Sequence, residues 1–111
     1  MKKHAFAALT FALGTWGCAL AADTDLELAR SKQCLGCHSI DKDTLAPALR
    51  NISAKFRTLK GAEATLLATI MNGSAAAGGP HWGVMKMPAP GVRPAVSEDE
   101  ARQLAQWILG L

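Results

Sequence analysis

Cys34-Leu35-Gly36-Cys37-His38 is the stretch on which the reading of this chain turns. Two thiols separated by two residues, with an imidazole directly behind them, admit three chemistries: a redox disulfide, half of a zinc site, or haem attachment. The redox motif belongs in a strand–CxxC–helix setting of a βαβ unit, and no strand pattern flanks this one. A zinc site needs a second ligand pair. Outside the string the chain offers only Cys18, His4 and His81, without paired spacing. Haem attachment uses every residue of the string. The two thiols form thioethers with the vinyl groups of a porphyrin, and the adjacent imidazole reaches the iron from one face.

Working outward, the chain has 111 residues, enough for one domain. Half are apolar and 19% are charged, which excludes a disordered tail. Residues 1–21 read as a secretory signal peptide: the cationic start Met1-Lys2-Lys3-His4, the apolar run Ala5–Leu13, and small residues at Ala19 and Ala21 for the peptidase. Ala5–Ala22 is also an uncharged run just long enough for a membrane anchor, but its Ala-, Thr- and Gly-rich composition favours a leader. Cysteine at position 18 preceded by Thr15-Trp16-Gly17 is a poor lipobox. The expectation is removal of 1–21, a domain spanning 22–111, and no stable membrane insertion after cleavage. Losing Lys2 and Lys3 takes the formal charge from +3 to +1. No basic footprint for nucleic acid remains.

The remainder reads as short helices around one long loop. Thr24 and Glu27 have capping-box spacing and open a helix to about Gln33. Residues 39–47 are a polar loop, 48–56 a helical turn or two, and 62–71 a helix with Leu66, Leu67 and Ile70 on one face. Asn72-Gly73 is expected to stop it in a left-handed conformation. From Gly73 to Pro94, Gly and Pro recur too often for helix or strand. Such a long loop is either disordered or functional, and this one carries Trp82, Met85 and Met87. Ser97 and Glu100 form a second capping box, opening a last helix with Ala101, Leu104 and Ile108 at core spacing and Gly110 as its stop.

These features together resemble the small bacterial class I cytochromes c, short periplasmic monohaem carriers. The resemblance rests on the Cys34–His38 string, Ala46-Pro47, Asn72-Gly73, Trp82-Gly83, Met87-Pro88 and the final helix, and covers about residues 24–109. It implies an all-α class I cytochrome c fold, about four short helices around one covalently bound haem c, with Leu26 and Ala29 packed against Leu104, Trp107 and Ile108. It also implies thioethers at Cys34 and Cys37, His38 as one axial iron ligand, and a methionine as the other. The Trp82-to-Met87 spacing matches the family's ligand loop and selects Met87. Met85 and His81 are the alternatives, and Met71, beside Ile70 on a helix, is a core residue. The family further suggests that the Pro47 carbonyl accepts the second imidazole N–H and that the Trp82 indole faces a propionate. One departure stands out: where many relatives hold an asparagine that bonds the methionine sulfur, this chain has Pro90, in a longer, proline-rich stretch.

The function implied is one-electron transfer in the periplasm, by a monomer docking transiently with redox protein donors and acceptors. An iron saturated on both sides has no place for a substrate, which argues against an enzyme. The competing functions are a haem enzyme or gas-binding protein with a labile sixth ligand, and a haem subunit of a larger oxidoreductase. The basic run Lys55–Lys60 reads as a solvated face, with steering of an acidic partner as its alternative.

Overall fold

The computed structural model describes residues 17–75 and 85–111, with side chains from residue 20 onward. They form four helices: α1 Gly17–Ser31, α2 Leu49–Phe56, α3 Ala62–Asn72 and α4 Glu98–Leu109. A single 3₁₀ turn at Cys34–Gly36 follows α1. The fold is all-α, as the sequence predicts, and α4 is its hub, packing against each of the other three.

The core forms where the helical faces meet. Ala101, Leu104, Ala105 and Ile108 of α4 are buried against Ala29 of α1, Leu49 and Phe56 of α2, and Leu66 and Ile70 of α3. Fully buried alanines on both α1 and α4 keep these helices free of bulk where they approach. The partly buried residue of α1 that joins this cluster is Leu28, not the expected Leu26. Met71 is half-buried against the cluster, as expected of a core residue.

Helix ends are set by specific bonds. At α4 the Ser97 hydroxyl accepts the Glu100 N–H at 3.2 Å, and the Glu100 carboxylate accepts the Ser97 N–H at 2.9 Å, the capping box read from sequence. The same Glu100 pairs with Lys32 at 2.9 Å, fastening the end of α1 to the start of α4. The expected capping box at Thr24 does not form. Helix-favouring residues continue α1 upstream to Gly17, so Thr24 lies inside the helix and its hydroxyl donates back to the Leu20 carbonyl at 2.9 Å. Gly73 also departs from expectation. Its φ of 84° and ψ of 165° place it in extended, glycine-only territory, because the chain leaves α3 toward the loop around Met87. Gly110 stays right-handed at the end of α4, its N–H still bonded to helix carbonyls.

Candidate haem site

The Cys34–His38 string is aimed by the end of α1. Gln33 adopts φ 58°, a left-handed conformation that terminates the helix and turns the chain back toward the core. The 3₁₀ turn then places Cys34 half-buried and Cys37 exposed, both as free thiols.

The loop after His38 is organised by its own polar groups. Cys37's carbonyl accepts from the Thr44 hydroxyl at 2.7 Å and from the Ala46 N–H at 3.1 Å. The Asp43 carboxylate accepts from the Ala48 N–H at 2.7 Å and the Asn51 amide at 3.0 Å. The carbonyls of Ser39 and Ile40 receive the N–H groups of Leu49 and Arg50. Thus the loop caps α2, whose first donors have no partner within the helix. This folding fixes Pro47 beside His38, whose Nδ1–H donates to the Pro47 carbonyl at 2.7 Å. The ring's orientation is thereby set and Nε2 is left available as a ligand atom. Burial pushes the imidazole pKa below its ordinary value, opposed by the Pro47 carbonyl. Burial pushes the Cys34 thiol up, opposed by the nearby charges of Arg93 and Lys32.

Between the helices lies a cleft of about 520 Å³, part of it open to solvent. Its wall is almost entirely apolar, built from residues such as Leu49, Ile52, Leu66, Leu104, Trp107 and Ile108. Cys34, His38 and Met87 reach the same cleft. Two adjoining depressions also have both His38 and Met87 in their walls, one of them with Pro47 and the other with Cys37. Met85 borders these two but not the main cleft, and is 60% exposed. Met71 borders none of the three. The structure therefore gathers Cys34, Cys37, His38, Pro47 and Met87 around one connected space. His81 and Trp82 lie outside the described residues.

A flat, largely apolar macrocycle fits this donor set: an apolar slot, an imidazole pre-oriented by its bond to Pro47, a thioether side chain bordering the same slot, and two free thiols beside the imidazole.

Two residues around Met87, Ser74 and Arg93, escaped the sequence reading, and Gly73 does more than stop the helix. The Met87 N–H donates to the Ser74 hydroxyl at 2.9 Å, and the Ser74 N–H returns a bond to the Met87 carbonyl at 3.1 Å. Gly73 lies directly under the loop: a Cβ there would sit 2.8 Å from the Met87 carbonyl oxygen and 2.9 Å from the Ala89 nitrogen. Arg93 donates from Nε to the Pro88 carbonyl at 2.7 Å and from Nη2 to the Ile70 carbonyl at 2.6 Å. The available signals were slight: a serine directly after Asn72-Gly73, and a lone charge in the otherwise uncharged stretch 87–97.

Comparison with known proteins gives the family. The family model described as Cytochrome c matches residues 27–111. The chain is 39% identical to cytochrome c-551 of Pseudomonas aeruginosa, over 98% of this chain and 97% of that protein. It is 36% identical to cytochrome c-552 of Nitrosomonas europaea, over 92% of each. The crystal structure of wild-type Nitrosomonas europaea cytochrome c552 superposes with a TM-score of 0.66 at 34% identity, covering 78% of this chain and 98% of that one. The chain belongs to the cytochrome c family, and is accordingly an electron carrier with a covalently attached haem c rather than an enzyme.

Proposed function

We propose that this protein is a periplasmic one-electron carrier in which Cys34 and Cys37 hold the haem by thioethers while His38 and Met87 take the two axial positions of its iron. The observation that carries this reading is that His38 and Met87 share one apolar cleft, with the His38 Nδ1–H already committed to Pro47.

When bound, the haem supplies a one-electron iron couple, and histidine–methionine ligation favours its reduced form over two nitrogen ligands. The chain's own residues do the rest. Pro47 holds the imidazole in one tautomer and increases its basicity as a ligand. The apolar wall excludes water and keeps the local dielectric low. Ser74 holds the backbone of Met87 at both its N–H and its carbonyl, so the thioether needs little rearrangement when the electron arrives or leaves. With His38 and Met87 both holding the iron, no position would be left open to a substrate, and the bound haem would exchange its electron only with a docked protein. Such encounters are small and short-lived.

Removal of residues 1–21 delivers residues 22–111 to the periplasm, where respiratory or dehydrogenase donors and terminal acceptors exchange electrons with the monomer. Among the described residues no helix is long and apolar enough to cross a membrane.

Optical spectroscopy of the purified protein tests the reading. A pyridine haemochrome of the two-thioether type, a thioether-to-iron charge-transfer band in the oxidised state, and no carbon monoxide uptake by the native reduced protein are expected. Carbon monoxide binding without denaturation overturns the carrier assignment.

A further inference from the structure

The geometry points to Arg93 as the positioning residue that holds the Met87 arm shut over the haem cleft, by bridging that arm to the C-terminal end of α3. This inference rests on Met87 being the axial ligand.

Three observations carry it. First, the guanidinium spans two elements. Its Nε–H binds the Pro88 carbonyl at 2.7 Å, one residue beyond Met87, and Nη2 binds the Ile70 carbonyl of α3 at 2.6 Å. A planar fork with donors in fixed directions is suited to this, and a lysine is not. Second, both acceptors need a donor. The Ile70 carbonyl belongs to the last turn of α3, where helix carbonyls lack intrahelical partners and the dipole favours a cation. Pro88 follows Met87 with no N–H of its own, so its carbonyl is the arm's nearest remaining handle. Third, the rest of the arm is already tied at neighbouring points. Ser74 grips Met87, Gly73 allows the close approach, and Lys32 donates to the Ala95 carbonyl at 3.1 Å. Arg93 supplies the tie between these anchors, reaching back five residues to the Pro88 carbonyl. A cation here acts on the ligand through the backbone, not through the sulfur.

The test is competition for the sixth position in the holoprotein, using imidazole as the probe, with the reduction potential and the thermal midpoint measured alongside. Arg93→Met should raise the affinity of the oxidised protein for imidazole by about 10-fold, since two charge-assisted bonds that hold the arm closed are gone. Arg93→Lys keeps a cation but bridges only one element at a time, and should raise it by about 3-fold. An Arg93→Met protein with lowered thermal midpoint but wild-type imidazole affinity and potential would show a general structural role and overturn the proposal. Where Arg93→Met fails to fold, Arg93→Lys decides on the same criterion. Met87→Ala separates the two levels: if it leaves the charge-transfer band in place, the ligand assignment fails. If it removes the band while both Arg93 variants bind imidazole as wild type does, only the Arg93 role fails.

Discussion

Met87 and Ser74 exchange two hydrogen bonds, the Met87 N–H to the Ser74 hydroxyl at 2.9 Å and the Ser74 N–H to the Met87 carbonyl at 3.1 Å. Ser74 is 4% exposed, so the pair is largely shielded from bulk solvent. Ser74→Ala leaves the Met87 N–H without its partner and should cost about 1–3 kcal/mol in denaturant unfolding. Amide hydrogen exchange at Met87 should accelerate well beyond that at Leu104 in the core. Equal acceleration at both sites would mean that Ser74 supports the whole fold and not the arm.

Gly73 makes that exchange sterically possible. A methyl group there collides with backbone atoms of Met87, Pro88 and Ala89, all within 3.0 Å, and φ is 84°. Backbone cannot swing aside as a side-chain tip can, and L-residues avoid this conformation. Gly73→Ala should therefore cost more than the ordinary penalty of about 1 kcal/mol for a mismatched glycine replacement, and should weaken the charge-transfer band. A neutral Gly73→Ala in both readouts would show that the arm does not sit where the structure puts it. Gly61, also at positive φ but with open space around its Cβ position, is the control for strain alone.

The contrast between what sequence reveals and what it hides follows from distance along the chain. Cys34, Cys37 and His38 declare themselves because one covalent chemistry needs all three side by side. The Ser97–Glu100 box is equally local, and forms as read. Thr24 and Glu27 have the same spacing, yet a cap requires a helix end, and in the uncleaved chain α1 runs through Thr24. Pro47 becomes meaningful only through the resemblance, and its bond to His38 depends on a loop closed by Asp43 and Thr44. Ser74 and Arg93 act across 13 and 23 residues, and neither has a local signature that would set it apart from any loop serine or arginine. The same holds for Gly73: its position as a helix stop is legible, but its reason is the arm that lies on it.

The choice between Met87 and Met85 is open to direct test. Met87 borders the main cleft, whereas Met85 is 60% exposed and borders only the outer depressions. Met87→Ala should abolish the charge-transfer band, lower the reduction potential and open the reduced protein to carbon monoxide. Met85→Ala should leave all three unchanged. The reverse pattern would move the ligand to Met85.

Cys34→Ala tests the covalent tie. The main cleft is walled by the same residues that form the core, among them Ala29, Leu66 and Ile108. A domain this small relies on its cofactor to complete the interior. Haem attachment should drop sharply in Cys34→Ala, and the protein that accumulates should be less helical and more easily proteolysed. Full helicity without haem would show that the polypeptide core suffices alone.

Asp43 offers a pH-dependent test of the loop that presents Pro47 to His38. Its carboxylate accepts from the Ala48 N–H and then from the Asn51 amide, and these bonds hold its pKa below the ordinary carboxylate value. A depressed folded-state pKa stabilises the fold at every pH above the unfolded value of about 3.9, and that contribution is lost as pH falls through the folded-state pKa. Asp43→Ala should therefore be less stable than wild type at pH 7, and the gap should narrow as pH is lowered below about 4. Urea unfolding of both proteins across this range reads the difference. A gap that stays constant down to the acid limit would mean that the charge on Asp43 contributes nothing, and that the capping of α2 rests on the carbonyls of Ser39 and Ile40 alone.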